Sequence, residues 1–242
     1  MLKRVVAVST LLAAEDEDEA LQVLRRVPDL SDASEEGRRE VACWYHDLYP
    51  GPEWLAPLQP DSVAEELMGQ VLEEMPGLVE SVFSGLAPEQ AGRALTILDR
   101  TVQPRPELER VLAAALRSDL VPLAASAITV AIQTGDPIGR VLAGILESRP
   151  EAAIALSGLY GGVLDQTVSL RELAWVLAAA QVELARRAKA SRDRLAKALS
   201  NLSIRLSRLG RREQALAAME EAVEVSRSWQ LRGWTPSGQT WP

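Results

Sequence analysis

Cysteine, histidine and aromatic residues are scarce in this chain of 242 residues, which has one Cys, one His, one Phe and three Tyr. A single cysteine excludes an internal disulfide framework and fits a reducing compartment, so we expect a cytoplasmic protein. Cys43 and His46 are three residues apart, but no second pair completes a zinc site. The sequence therefore predicts no metal and no other cofactor.

Long apolar runs are also missing. The longest uncharged run covers residues 120–135 and contains Pro122, Ser126 and Thr129. It falls short of the roughly 20 apolar residues that a membrane span needs. We expect a buried helix there and no contact of the protein with a membrane.

The motifs of nucleotide-binding loops are absent, since neither G-x-x-x-x-G-K-[ST] nor G-x-G-x-x-G occurs. No third residue is placed to orient Cys43 and His46 as a nucleophile and its base. Paired carboxylates such as Glu15 and Glu19 are typical of a solvated helix start. We therefore expect a protein that is not an enzyme and that neither binds nor hydrolyses ATP.

What the chain has in quantity is helix-forming residues, with 47% hydrophobic and 25% charged residues and little alternation of period two. Proline, glycine, aspartate and serine divide the first four-fifths into helix-sized pieces. The predicted helices are residues 2–14, 17–26, 34–48, 61–75, 77–84, 88–101, 105–117, 120–133, 137–147, 151–164 and 170–188. Because the connections are short, consecutive helices should be antiparallel neighbours, and the fold class should be all-α.

The most regular stretch lies between residues 192 and 227, where apolar residues at helical spacing are interrupted by Gly210. It predicts two antiparallel helices, 192–208 and 212–227. The side chains expected to be buried between them are Leu199, Leu202, Leu206, Ala215, Met219 and Ala222. Together with Ser203 and Gly210, these positions resemble a tetratricopeptide repeat, with Leu206 and Met219 where the family has Tyr or Phe. The resemblance implies a right-handed α-solenoid of antiparallel helical hairpins that ends in this repeat.

A wider resemblance rests on three motifs: DLYPG at 47–51, WLAPLQPD at 54–61 and NLSIRLSRLGRREQAL at 201–216. With the Ala- and Leu-rich region between them, they resemble the C-terminal half of actinobacterial signalling NTPases of the STAND class. In that family a nucleotide-binding motor precedes a helical-repeat sensor. The resemblance implies a sensor half, and no motor is encoded in this sequence.

These features divide the chain into five segments. They are an N-terminal helical module (1–49), a Pro- and aromatic-rich junction (50–60), a degenerate helical-hairpin array (61–190), the TPR-like repeat (191–228) and a C-terminal tail (229–242). Trp44 and Trp54, at the junction, either line a binding site or fill the crevice between modules, and the bulk of aromatic rings favours filling.

The first 14 residues allow two interpretations. Their basic start, apolar stretch and small residues are similar to a short secretory signal. The other interpretation is a first helix that places Val5, Val8 and Leu12 on one side, and we favour it.

Charge is distributed unevenly along the chain. Residues 171–242 carry 13 Lys and Arg against 7 Asp and Glu, which gives this part a net charge of +6, whereas the whole chain has a net charge of −8. Six basic residues lie within 186–197. We expect a protein or peptide partner that contacts Asn201, Arg205 and Arg208 on a face away from the hairpin seam, together with Arg186 and Arg187. A nucleic-acid or phosphate site in 186–197 is the alternative, which the lack of interleaved aromatic residues disfavours.

The tail, SWQLRGWTPSGQTWP, follows the repeat without an additional helix to cover its apolar face. We predict that Trp229 folds back near Leu202, Leu206 or Met219. The alternative is a homodimer in which the tail pairs two copies of the chain.

Overall fold

The computed structural model describes residues 1–160 and 170–233, with side chains for 1–158 and 170–227. This part of the chain is all-helical and contains no strand, as the composition predicts. The α-helices are α1 Leu2–Leu12, α2 Glu17–Arg25, α3 Glu35–Leu48, α4 Asp61–Glu74, α5 Leu78–Phe83, α6 Pro88–Val102, α7 Glu109–Ser118, α8 Leu120–Thr134, α9 Ile138–Ser148, α10 Pro150–Tyr160, α11 Arg171–Arg187, α12 Arg192–Arg208 and α13 Arg212–Gly233. Most predicted bounds agree within two residues. Two one-turn 3₁₀ helices, Pro28–Leu30 and Pro106–Leu108, were not predicted.

Polar side chains fix several helix starts. Asp16 accepts a hydrogen bond from the Glu19 amide at 2.9 Å and so caps α2. Ser34 caps α3 in the same way, and Ser191 caps α12. Gly210, between α12 and α13, has a φ of 74°, a conformation that glycine adopts without steric cost. The two helices of the repeat can therefore reverse direction within three residues.

The described chain forms two compact units, the first of which is Met1–Ile145 and the second of which begins at Leu146. In the first unit, α1 packs against α2, α4 and α6, and α6 also packs against α8. Val5, Val8 and Leu12 are almost completely buried, as the helix interpretation of this segment predicts. No helix in the described residues is both long enough and apolar enough to cross a bilayer.

The junction segment 50–60 is tied to the end of α1. Ala14 and Leu55 exchange two backbone hydrogen bonds, at 3.2 and 3.1 Å, and Leu55 is fully buried. The Tyr45 hydroxyl donates to the Ala56 carbonyl at 2.6 Å. Because its backbone and its central leucine are both engaged, this segment is a packed loop of the first unit.

Helix α8 has one buried face and one exposed face, although its lack of charge predicts a buried helix. Leu123, Ala127 and Ile128 are buried, whereas Val121 and Ile132 are 48% and 42% exposed. The prediction of a buried helix is confirmed for one face only, because an uncharged sequence does not require neighbours on every side of a helix.

A buried carboxylate links α6 to the start of α9. Asp99 has no exposed surface, and its Oδ1 accepts a hydrogen bond from the Ile138 amide at 2.9 Å. Burial raises the pKa of Asp99, because removal from water disfavours the charged form, and the Ile138 amide acts in the opposite direction. Asp99 therefore caps α9 at an electrostatic cost that depends on pH.

Asp99→Asn should remove this pH dependence. A carboxyl group whose pKa is higher in the folded state contributes stability below its unfolded pKa of about 3.9, and that contribution is lost as pH rises through the folded pKa. Asparagine keeps the acceptor oxygen but never becomes charged. In urea titrations from pH 4 to about 8, the stability of the wild type relative to Asp99→Asn should fall as pH rises. A difference between Asp99→Asn and the wild type that stays constant over this pH range would contradict the assignment.

In the second unit, α10, α11, α12 and α13 pack in chain order. Leu206 clusters with Ala215 and Ala218 at the turn, and Leu199 clusters with Ala222 further from it. Residue numbers thus rise along α12 as they fall along α13, which is the pattern of an antiparallel pair. The Ser203 hydroxyl donates to the Ala215 carbonyl at 2.7 Å, so the two backbones approach closely there.

Two of the side chains that the sequence places in the core of this pair are less buried than predicted. Met219 is 38% exposed, and Ala218 is buried in its place. Leu202 is only partly buried. The interface of α13 consists of small residues, Ala215, Ala218 and Ala222, and their spacing turns Met219 to the edge of the pair. The predicted contacts of Trp229 lie outside the residues whose side chains are described.

Candidate partner-binding surface

The two junction tryptophans have different surroundings. Trp54 is half-buried and stacks on His46, with ring centroids 5.3 Å apart. Trp44 is 39% exposed and meets Tyr45 edge-on at 6.5 Å. His46 Nδ1 lies 3.2 Å from the Glu53 carbonyl, which only accepts hydrogen bonds, so Nδ1 is the donor. The His46 ring therefore stacks on Trp54 with its face and donates a hydrogen bond from Nδ1. Trp54 contributes to the packing of the junction.

Arg186 and Arg187 tie helices of the second unit together. Arg186 donates to both carboxylate oxygens of Glu221, at 2.6 and 2.9 Å, and so links α11 to α13. Arg187 donates to Glu151 of α10 at 2.6 Å and to Glu183 of its own helix at 2.8 Å. The hydrogen bond to Glu151 raises the pKa of Arg187 further. Both guanidinium groups, which the sequence assigned to a partner, already face carboxylates of this chain.

Asn201 and Arg208 lie on the outer face of α12, as the periodicity predicts, but Arg205 does not. Arg205 is only 5% exposed. Helix α12 packs against both α11 and α13, and two neighbours cover a wider arc of a helix than the single hairpin seam that the sequence indicates. The assignment of Arg205 to the partner-binding face was therefore wrong.

The outer face of α12 carries a line of side chains at helical spacing, which we call the α12 stripe. It consists of Arg194, Lys197, Asn201, Ile204 and Arg208. Ile204 is 48% exposed. Lys197 pairs with Asp193 at 2.8 Å, but both side chains are more than 70% exposed, and such a pair is worth little in water. The stripe thus presents basic and amide groups around one apolar side chain.

A concave surface of about 500 Å³ borders the stripe, and we call it the α11–α12 groove. Its lining residues are Gly158, Gln181, Leu184, Ala185, Ala188, Ala190, Arg194, Lys197, Ala198 and Asn201. None of these is acidic. Leu184 is 39% exposed, and Gln181 is fixed by a hydrogen bond from its amide to the Ser157 carbonyl at 2.9 Å. The groove therefore combines an apolar floor with a cationic edge.

The groove was not predicted from the sequence, although two residues of its edge were singled out. Arg194 and Lys197 belong to the basic segment that the charge distribution singles out. Leu184 and Ala188 carry no signal of their own, because the groove is formed by residues of different helices that only the fold brings together. The stripe could have been predicted from the sequence, because positions 194, 197, 201, 204 and 208 follow the three-and-four spacing of one helix face.

The chain matches no protein-family model, no curated protein and no solved structure. Among the residues that the structure describes, no three His, Cys, Asp or Glu side chains are placed to hold a metal ion. The α12 stripe and the α11–α12 groove are therefore the features of the described residues that indicate a function.

Proposed function

We propose that this protein is a non-catalytic helical-repeat module that binds an acidic segment of a partner protein. The observation that carries the proposal is the α12 stripe beside the α11–α12 groove. The antiparallel α12–α13 pair and its repeat-like spacing support a right-handed α-solenoid that ends in a tetratricopeptide-like repeat. The resemblance to STAND-class sensor halves supports a role in signalling or regulation.

The chemistry of the surface favours a peptide with both acidic and apolar side chains. Leu184 and Ile204 are exposed apolar groups, and each Å² of such surface that a partner covers contributes about 25 cal/mol. Arg194 and Lys197 line the same groove as Leu184 and attract carboxylates. Apolar burial thus supplies affinity, while the two cations select acidic sequences and accelerate association.

Nucleic acid is the weaker candidate for this surface. Of the six basic residues in 186–197, Arg186 and Arg187 already pair with carboxylates of other helices of this chain. A phosphate backbone would have to compete with these pairs. The apolar floor of the groove also has no role in binding phosphates.

A charge-reversal variant tests the proposal. A displayed library of random peptides of about twelve residues should yield sequences rich in Asp and Glu with one or two large apolar residues. Arg194→Glu/Lys197→Glu should weaken binding of the selected peptides on the order of tenfold or more, because two favourable charge contacts become repulsive. The matched control Arg25→Glu/Arg110→Glu changes net charge equally on exposed sites of the first unit and should bind as the wild type does.

Three outcomes count against the proposal. One is selection of peptides without acidic residues, and another is equal weakening by the control variant. The third is tight binding of single-stranded RNA that decreases steeply with salt and that the Arg194→Glu/Lys197→Glu variant abolishes, which would favour the nucleic-acid alternative.

A further inference from the structure

A second hollow of the second unit lies among α9, α10 and α11, and we call it the α10–α11 pocket. Its volume is about 200 Å³. The buried side chains of its lining are Leu146, Ala153, Val176 and Ala180. The pocket shares no lining residue with the α11–α12 groove, so it is a separate candidate site.

Alanine side chains leave this space open. Ala153, Ala179 and Ala180 end at Cβ, and a larger side chain at any of these positions would fill part of the hollow. Ile154 and the Trp175 ring, both half-buried, complete an almost entirely apolar wall. An apolar protein cavity of about 150 Å³ holds one benzene molecule, so this pocket has room for a single aromatic ring with a short substituent.

The charged groups in the lining are both carboxylates. They belong to Glu147 and Glu183, and no lysine, arginine or histidine of the described chain lines the pocket with them. Glu183 pairs with Arg187 at 2.8 Å, but Arg187 also binds Glu151 and both partners are partly exposed, so this pair is weak. Arg211 lies over the Trp175 ring, 4.0 Å from its centroid, and is not part of the lining. The lining of the pocket therefore carries negative charge only.

The position of Glu147 in its helix strengthens this charge. Glu147 is exposed in the last turn of α9, and it has no hydrogen bond or ion pair within the part of the chain that the structure describes. The carboxyl end of a helix carries negative partial charge, which disfavours a carboxylate there. No basic residue in the last turn of α9 compensates for it. A cation bound at this rim would offset the repulsion.

We propose that the α10–α11 pocket binds a small primary amine that carries one aromatic ring. The ring occupies the apolar hollow beside Trp175 and Ile154, and the ammonium group lies at the rim near Glu147 and Glu183. Burial of the ring supplies most of the affinity, while the carboxylates select a cation over a neutral or anionic molecule. Because the ligand is small and its ammonium stays partly in water, the Kd should be on the order of 0.1–1 mM.

Methyl nuclear magnetic resonance of the whole chain, titrated with phenethylammonium up to about 10 mM, tests the proposal. The methyl signals of Ile154 and Val176 should shift and saturate. Phenethyl alcohol has the same ring without a charge and should bind several-fold more weakly. Hydrocinnamate, whose carboxylate is repelled by the rim, should bind more weakly than the alcohol.

Two variants separate the contributions of shape and charge. Ala179→Leu fills the hollow from a half-buried position and should weaken binding of phenethylammonium and of the alcohol on the order of tenfold. Glu147→Gln keeps the shape of the rim, so it should weaken phenethylammonium several-fold and leave the alcohol unchanged. Glu172→Gln, at an exposed carboxylate of α11 outside the pocket, is the matched control and should bind as the wild type does.

Four results would overturn the proposal. They are unshifted Ile154 and Val176 methyl signals at about 10 mM phenethylammonium, hydrocinnamate binding as tightly as the ammonium, and wild-type affinity in Ala179→Leu. The fourth is equal weakening of the alcohol and the ammonium by Glu147→Gln, since the substitution would then act through the fold and not through charge.

Discussion

Replacing Arg26 with alanine is expected to lower the free energy of unfolding by about 1.5–3 kcal/mol, the range for hydrogen bonds from a charged group. The Arg26 guanidinium lies at the end of α5 and donates to the carbonyls of Val82 at 3.0 Å and Ser84 at 2.5 Å. In return, the Ser81 hydroxyl donates to the Arg26 carbonyl at 3.0 Å. The last carbonyls of a helix have no partner within it, so the loss of this side chain removes their donor, most severely at the partly buried Val82 carbonyl.

Urea unfolding followed by far-ultraviolet circular dichroism measures this effect. Arg25→Ala is the matched control, because Arg25 is the exposed neighbour, and it should change stability by less than about 0.5 kcal/mol. Arg26→Lys should recover only part of the loss, since an ammonium group lacks the planar fork that spans several carbonyls. If Arg26→Ala were as stable as Arg25→Ala, the contact would have no energetic role.

Ala215→Leu is expected to cost about 1–3 kcal/mol through overpacking. Ala215 is 7% exposed, clusters with Leu206 and Ala218, and has its carbonyl bound by the Ser203 hydroxyl. A leucine at this position has to push α12 and α13 apart, which also lengthens that hydrogen bond. The same urea titration measures the loss.

Ala217→Leu is the control for this substitution. Ala217 lies two residues further along α13 and is exposed, so a leucine there makes the same change in composition without entering the interface. We expect a change of less than about 0.5 kcal/mol. Equal stabilities of the two leucine variants would contradict the close packing of α12 against α13.

Helix positions were predictable from the sequence because their signals are local. Prolines and glycines mark the ends, and an apolar residue every three or four positions marks the helices between them. Pro88 at the first position of α6 and Gly210 after α12 are examples. The one-turn helix Pro28–Leu30 was missed because three residues carry no periodicity.

The surroundings of individual side chains were less predictable, because they depend on how many neighbours each helix has. Arg205 is buried because α12 contacts helices on two sides, whereas Met219 is half exposed because small residues make the interface of α13. The uncharged helix α8 was expected to be buried, and one of its faces is exposed. The apolar floor of the candidate site, at Leu184, is likewise a product of helix packing that no local pattern indicates.

Chemical-shift mapping tests the central claim most directly. A peptide selected from the library would be added to the isotope-labelled chain, and the backbone amide shifts followed by nuclear magnetic resonance. The proposal predicts that the largest changes fall on Lys197, Asn201 and Ile204 of the α12 stripe and on Leu184 of the groove, with affinity that decreases moderately with salt. Changes confined to the first unit, or no change at saturating peptide, would contradict it.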